Sequence, residues 1–258
     1  MILFVFEGSE REPRLYRTLE RLYFPKKNDN IVCTYGNNIY DLYNELLKYG
    51  GGGDIVSVMR ERLDERGDDS LKGIRSSDIA EIFLFFDYDF QNSQLSLKEI
   101  NQRVEKMLAL FSDETENGKL YINYPMIESI RYTKELPDSD YVHYIVSRNE
   151  CNDFKRIARN FSAYNSLDHI LFKDDETPTK EKYIKVKDNW LYLEQMNVCK
   201  ANRLVNGLNS IPNEKEKINQ RIIFQCQIQK YVETNESVAV LNSFPIFIYE
   251  YFKAGSMN

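Results

Sequence analysis

A chain of 258 residues, 42% of them hydrophobic, is long enough to enclose a sizeable apolar interior. Its formal net charge of -6 argues against a protein that coats nucleic acid non-specifically, because such binding depends on many phosphate contacts by Lys and Arg. The sequence contains no apolar run as long as a membrane span and no basic amino-terminal segment, which predicts a cytoplasmic protein without a membrane partner. Its four cysteines are scattered without CxxC pairs, as expected for reduced thiols.

The first predicted strand, ILFVF at residues 2 to 6, runs directly into Glu7 and Gly8. Five consecutive apolar residues bounded by a glycine are typical of a strand that is buried on both faces in a parallel α/β sheet. Ligands of open α/β sheets gather at the carboxyl ends of the strands. We therefore expect Glu7 to have a functional role.

Helices and a second strand follow this first element. The segment SEREPRLYRTLERLYF predicts a helix that is capped among residues 9 to 12, because Pro13 is tolerated only in a first helical turn. The hydrophobic pattern then predicts a strand over 31 to 35 and a helix over 39 to 49.

Four consecutive glycines, residues 50 to 53, separate that helix from another one that begins after Asp54. A phosphate-binding loop would need the pattern GxxxxGK[ST] after a strand, so these glycines indicate a flexible connector instead. The polar residues 64 to 78 predict a surface loop that could fold over a functional site.

A second apolar run, residues 82 to 86, ends in Asp87 and Asp89. Side chains of a strand alternate between its faces, so the two aspartates are expected on the same side. If both acid-terminated strands belong to one parallel sheet, Glu7 converges with them, and a hard divalent cation would relieve the repulsion among three carboxylates. The pattern therefore predicts an Mg²⁺ or Mn²⁺ site with Glu7, Asp87 and Asp89 as ligands.

Further candidates follow a capping box at Ser96 and Glu99 and the strand KLYINY. Glu128 is a candidate ligand of the metal or of its water, and Lys134 or Arg131 is a candidate for neutralising a phosphate. The alternative for Glu128 is an acid in the first turn of a short helix.

Strands that alternate with helices predict an α/β fold with a mainly parallel sheet of about four strands flanked by helices, over residues 1 to 135. Residues 136 to 258 are predicted to be mainly helical. A cap signal at Thr177 and Pro178 opens a long helix, a second helix covers roughly 213 to 233, and Pro245 interrupts an apolar tail.

A strand that ends in Glu-Gly, followed by a strand that ends in Asp-x-Asp, resembles the Toprim domain of topoisomerases, primases and overcoming-lysogenization-defect (OLD) type nucleases. The motif positions that carry over are Glu7, Asp87 and Asp89. The segment INYPMIES at 122 to 129 is similar to a strand-Pro-acid segment of small bacterial anti-phage Toprim proteins, among them the abortive-infection AbiL-type proteins, the RloB-like proteins and the Toprim effector of the PARIS system. The resemblance covers roughly residues 1 to 135.

This resemblance implies a Toprim-like fold and an Mg²⁺-dependent nuclease that hydrolyses DNA or RNA, tRNA included, as a toxin or effector of anti-phage defence. The catalytic set would be Glu7, Asp87, Asp89, Glu128 and Lys134. It also implies a protein partner, often an ATPase encoded nearby, that restrains the nuclease. A homo-oligomer is left open, since 18 Tyr and 15 Phe supply material for an interface.

Three alternatives remain. A PIN-like or other metal-dependent RNase also gathers acids at strand ends, usually with a first Asp and different spacing. A receiver domain needs two acids after its first strand and a Lys after its last. A non-catalytic module for nucleic acid or a partner, with a Toprim-like or PIN-like fold, would not need all three acids.

Overall fold

The computed structural model describes residues 1–24, 30–48, 50, 52 and 54–252, which form two compact units. The first unit contains Met1–Asp87 and Gln94–Tyr121. The second contains Tyr88–Ser93 and the chain from Ile122 onward. The division predicted between residues 135 and 136 lies within the second unit.

The first unit is built on a five-stranded sheet in the order β2-β1-β3-β5-β4. The strands are β1 (Ile2–Phe6), β2 (Asn30–Thr34), β3 (Glu81–Asp87), β4 (Ser112–Asp113) and β5 (Gly118–Asn123). The interior strand β1 pairs in parallel with β2 and with β3, and Phe6 lies opposite Thr34 on one side and Phe85 on the other. The two-residue strand β4 is antiparallel to β5. The mainly parallel α/β fold is thus confirmed, with this short edge strand added to the four predicted ones.

Helices flank the sheet of the first unit and begin where the sequence places their caps. They are α1 (Arg11–Tyr23), α2 (Ile39–Lys48), α3 (Ile55–Arg66) and α4 (Leu97–Leu110). Glu10 precedes α1 and Pro13 lies in its first turn, while the Asp54 side chain caps α3 and Ser96 forms the predicted capping box with Glu99. The end predicted for α2 at Tyr49, and two of the four connector glycines, lie outside the described residues.

The core of the first unit consists of the apolar strands themselves. Residues 3 to 6 of β1 are fully buried, which explains the continuous apolar run. Aromatic side chains of neighbouring strands pack against each other across the sheet, with 5.5 Å between the ring centroids of Phe4 and Phe83 and 5.4 Å between those of Phe6 and Phe85. Each of these buried rings contributes roughly 1.5 to 3 kcal/mol relative to an exposed one. This packing fixes the strand ends that carry the candidate acids.

The second unit is mainly helical and also holds a small antiparallel sheet. Its strands are β6 (Ile145–Ser147) and β7 (Ser237–Ala239), and its helices are α5 (Arg148–Cys151), α6 (Phe154–Phe161), α7 (Lys180–Asn206), α8 (Gln220–Gln227), α9 (Glu233–Asn235) and α10 (Ser243–Tyr251). A 3-10 turn spans Ile127–Arg131, another spans Lys215–Ile218, and a π-helical turn, Ile228–Val232, joins α8 to α9.

Two predicted helix starts in this unit were wrong by a few residues. The helix α7 is capped by Thr179 rather than by Thr177, because the Thr179 hydroxyl accepts the backbone N–H of Lys182. The helix predicted from residue 213 begins at Gln220, where the Asn219 side chain supplies the cap. Pro245 does not break the apolar tail, because it lies in the first turn of α10, where its missing N–H is tolerated.

The longest helix among the described residues, α7, anchors the second unit through Trp190. This fully buried side chain donates to the carbonyl of Ile170 at 2.8 Å. In the part of the chain covered by the structure, no helix combines the length and apolar character needed to cross a membrane.

Candidate functional site

Glu7 and Asp87 meet at the carboxyl edge of the first unit's sheet. Asp87 is the last residue of β3, and Glu7 directly follows the neighbouring parallel strand β1. The backbone N–H of Asp87 donates to Oε2 of Glu7 at 2.9 Å, and the backbone N–H of Glu7 donates to the carbonyl of Phe85 at 3.1 Å. The Glu7 carboxylate is therefore held against the backbone of Asp87, as expected for two acids that end adjacent parallel strands.

A second glutamate, Glu12, approaches the backbone of Gly8. The N–H of Gly8 donates to Oε1 of Glu12 at 3.1 Å, and a Cβ on residue 8 would lie only 2.8 Å from Oε2 of Glu12. Glu12 is 5% exposed and belongs to the first turn of α1. Glu12 is not among the candidates predicted from the sequence, although an acid in the first turn of a helix that follows Glu-Gly is a usable signal. A side chain at residue 8 would therefore displace the Glu12 carboxylate from the Gly8 N–H.

Asp89 belongs to the second unit and is not part of β3. The strand ends at Asp87, and Asp89 has a left-handed backbone with φ of 44°. The expectation that strand alternation places Asp87 and Asp89 on one face was therefore wrong in its premise. The Oδ1 of Asp89 accepts a hydrogen bond from Nε2 of Gln91 at 2.9 Å, and its N–H donates to the carbonyl of Pro125 at 3.2 Å. These bonds fix Asp89 within its own unit.

Burial raises the pKa of Asp89, and Glu128 adds to this rise, while the hydrogen bond from Gln91 and the charge of Lys155 oppose it. Glu128 lies in the 3-10 turn and is 3% exposed, so the alternative of an acid in a short helical turn describes its local structure. Its Oε1 lies 3.9 Å from Nζ of Lys155, an exposed residue of α6. Asp89, Glu128 and Lys155 thus form one charged cluster in the second unit. No motif in the sequence pointed to Lys155.

Lys134 forms an exposed ion pair with Asp140. Its Nζ lies 3.1 Å from Oδ2 of Asp140, and both side chains are more than half exposed. Such a surface pair contributes little to stability, so Lys134 can exchange Asp140 for another anion at small cost. Its role at a phosphate stays a prediction.

The donor set at the sheet edge fits a hard cation. Glu7 and Asp87 offer carboxylate oxygens, and Mg²⁺ in proteins is usually bound by one or two carboxylates together with waters and substrate phosphates. Over the described ranges, no group of three or more His, Cys, Asp or Glu side chains is arranged to hold a metal ion. A cation centre formed by Glu7 and Asp87 therefore stays a prediction, as does the convergence of Asp89 on it.

The second unit carries one further oxygen of the kind that such cations bind. The amide orientation of Gln91 is set by its donation to Asp89, which leaves its Oε1 as the acceptor. This oxygen is buried and receives no hydrogen bond from any residue that the structure describes. Asp89 and Gln91 together thus provide hard oxygen donors, consistent with a ligand role for Asp89.

Comparison of the chain with protein-family models, with curated proteins and with solved structures gives no match. The resemblance to Toprim domains therefore rests on the motif residues alone. The observations that bear on function are the parallel sheet and the pairing of Glu7 with Asp87 at its carboxyl edge.

Proposed function

We propose that this protein is a nuclease that hydrolyses phosphodiester bonds of DNA or RNA, tRNA included, with the help of Mg²⁺ or Mn²⁺. The observation that carries the proposal is the 2.9 Å hydrogen bond from the Asp87 N–H to Glu7, at the carboxyl ends of two adjacent parallel strands. This is the edge at which α/β proteins bind their ligands. Carboxylates at that edge suit a cation and a phosphate better than they suit packing.

Glu7 and Asp87 would hold the cation. When bound, the cation stabilises negative charge on a phosphate oxygen and lowers the pKa of a coordinated water. The protein's contribution is to fix the carboxylates in advance. The Asp87 N–H holds Oε2 of Glu7 in one orientation, and the backbone bond from Glu7 to Phe85 fixes the main chain that carries it. Glu7 thereby serves as a ligand or as the base that orients the attacking water.

Asp89, Glu128 and Lys134 complete the proposed set in weaker roles. Asp89 is proposed as a third ligand, since a nearby cation would favour its charged form against the burial that raises its pKa. Glu128 is proposed to bind the metal or its water, and Lys134 to neutralise a phosphate. Each of these roles is supported by the residue's chemistry alone.

We also propose a protein partner and a cellular role for the nuclease. A net charge of -6 limits the affinity of the isolated chain for nucleic acid. We therefore propose that a protein partner, such as an ATPase, presents the substrate or restrains the activity. A cytoplasmic role as effector of anti-phage defence belongs to the same proposal and rests on the Toprim resemblance. Size-exclusion chromatography with the product of a neighbouring gene tests the partner. Two independent peaks, with full activity in the isolated chain, would remove it from the proposal.

A second candidate function is a non-catalytic module that binds nucleic acid or a protein. One observation favours it: among the residues with described coordinates, no cluster of three or more ligand-type side chains is arranged for a metal. Such a module would need the sheet but not the charge of Glu7. It predicts binding that is insensitive to metal and to removal of the acids.

One experiment separates the two candidates. Wild type, Glu7→Gln, Asp87→Asn and the control Glu116→Gln are incubated with plasmid DNA, single-stranded DNA or total tRNA, in Mg²⁺ or EDTA. Glu116 lies in the exposed turn between β4 and β5, so its substitution removes the same charge away from the carboxyl edge.

We expect cleavage in Mg²⁺ by wild type and Glu116→Gln, with a loss of roughly 10²-fold or more in the other two variants. Cleavage that survives EDTA or Glu7→Gln would refute the mechanism. Binding of these substrates without any cleavage would favour the non-catalytic module.

A further inference from the structure

Arg66 lies across the backbone of the loop that follows β2. This residue belongs to the last turn of α3, and its guanidinium donates to the carbonyl of Thr34 at 3.2 Å and to the carbonyl of Tyr35 at 2.7 Å. The next residue, Gly36, has φ of 82°, and a Cβ on it would lie 2.5 Å from one guanidinium nitrogen. Only glycine therefore lets the guanidinium lie on this stretch of backbone.

The same loop is bonded to the residue that carries the candidate site. The N–H of Gly36 donates to the carbonyl of Glu7 at 2.8 Å, and the N–H of Tyr35 donates to the carbonyl of Phe6, also at 2.8 Å. Gly36 thus contacts the Glu7 backbone and the Arg66 guanidinium at once. The structure thus places the positively charged Arg66 guanidinium at the carboxyl edge of the sheet, separated from the Glu7 main chain by Gly36.

The charge of Arg66 faces solvent. The residue is exposed, and within the described chain it forms no ion pair with a carboxylate. Arg66 acts on Asp68 only through its charge: the pKa of Asp68 is lowered chiefly by hydrogen bonds from Ser70 and to a smaller extent by Arg66. A guanidinium has five N–H donors, and the two carbonyl bonds occupy only part of them. The remaining donors are available to an anion.

Arg62, one turn earlier in α3, has a different role. Its guanidinium lies 4.7 Å from the centre of the buried Tyr35 ring and donates to the Tyr35 hydroxyl at 3.1 Å. This hydrogen bond, together with the nearby Glu45 and Glu65, raises the pKa of Arg62. Arg62 therefore holds the loop in place, and Arg66 is the arginine that can meet a ligand.

We propose that Arg66 binds a backbone phosphate of the nucleic acid, beside the Glu7 and Asp87 pair. This inference rests on the proposed function, because it assigns a substrate contact at the same sheet edge. A guanidinium matches the geometry of a phosphate, and one that is already held by two carbonyls loses little side-chain freedom on binding. The contact is to the backbone, so it is the same for any base sequence.

The test measures binding without cleavage. Fluorescence anisotropy in EDTA follows a labelled single-stranded oligonucleotide over a series of salt concentrations, with wild type, Arg66→Gln and Arg66→Lys. The control is Arg75→Gln, because Arg75 is 80% exposed and pairs with Asp78 just before β3, at the amino end of the sheet. We expect Arg66→Gln to weaken binding several-fold at low salt. It should also reduce the slope of log K against log salt by about 0.7, the value for one phosphate contact on a single strand. Arg66→Lys should keep the slope, since it keeps the charge.

Three results would overturn the inference: an unchanged slope in Arg66→Gln, an equal change in Arg75→Gln, or no binding by wild type at low salt. A purely structural Arg66 would lower the melting temperature, measured by circular dichroism, without changing the slope, and that result also overturns it. The proposed nuclease function fails separately. A changed slope without cleavage of any substrate supports the Arg66 contact and favours the non-catalytic module over the nuclease. Glu7-dependent cleavage with an unchanged slope supports the nuclease and overturns the Arg66 contact.

Discussion

The substitution Gly36→Ala tests whether Arg66 is held on the loop after β2. An alanine at φ of 82° costs about 1 kcal/mol in backbone conformation. Its Cβ would also lie 2.5 Å and 2.6 Å from the two terminal nitrogens of Arg66, so the guanidinium must leave its carbonyl partners. Two lost hydrogen bonds cost about 0.5 to 1.5 kcal/mol each. We therefore expect Gly36→Ala to reduce the free energy of unfolding by about 2 to 4 kcal/mol.

Urea denaturation followed by far-UV circular dichroism measures this change, because the single tryptophan, Trp190, belongs to the second unit. Gly73→Ala is the matched control: Gly73 has φ of 75°, and a Cβ there meets no atom within 4 Å. It should cost only the conformational term, about 1 kcal/mol. In an Arg66→Ala background, Gly36→Ala should fall to that same cost, which gives a coupling of about 1 to 3 kcal/mol.

Equal costs for Gly36→Ala and Gly73→Ala would refute this reasoning. A cost of Gly36→Ala that is the same with and without Arg66 would refute it as well. Either result would mean that Arg66 does not lie on the loop, and the proposed phosphate contact would lose its structural basis.

Three further predictions concern stability. Burial raises the pKa of Glu194 from 4.5 to about 7, so the stability due to its neutral form is complete below pH 4.5 and is lost as the pH rises through 7. Relative to wild type, the free energy of unfolding of Glu194→Gln should therefore increase by on the order of 1 to 3 kcal/mol between pH 5 and pH 8, measured by urea titration. An equal difference between variant and wild type at the two pH values would contradict this. Asn242→Ala should lower the free energy of unfolding by about 2 to 4 kcal/mol, measured by Trp190 fluorescence, because the fully buried Asn242 side chain caps α10 and donates to two buried acceptors. A loss below 1 kcal/mol would contradict this expectation. Ser96→Ala should cost about 1 kcal/mol by circular dichroism through loss of the α4 cap, whereas the exposed Ser93 lies outside any helix and Ser93→Ala should cost nothing.

The parts of the fold that the sequence predicted are those with strong local signals. The runs ILFVF and IFLFF are apolar on both faces because β1 and β3 lie in the interior of the sheet. Parallel pairing of these two strands brings their carboxyl ends together, and the contact between Glu7 and Asp87 follows from that pairing.

The parts that the sequence could not predict depend on tertiary contacts. The alternation rule failed at Asp89 because the chain leaves the strand after Asp87 and turns through a left-handed residue, which no local pattern announces. Lys155 and Glu128 are distant in sequence and meet only through the packing of α6. In the sequence, Arg66 is one of several charged residues in a polar segment. Only the structure shows that its guanidinium lies against the backbone of Gly36.

We propose that Glu7 and Asp87 form the centre that binds a divalent cation for phosphodiester hydrolysis. Titration of Mn²⁺ into the full chain, followed by electron paramagnetic resonance of the free ion, tests it most directly. The account predicts that wild type and Glu116→Gln bind Mn²⁺ equally and that Glu7→Gln and Asp87→Asn bind it at least about 10-fold more weakly. Equal Mn²⁺ affinity in wild type and Glu7→Gln, or no Mn²⁺ binding by wild type, would contradict it.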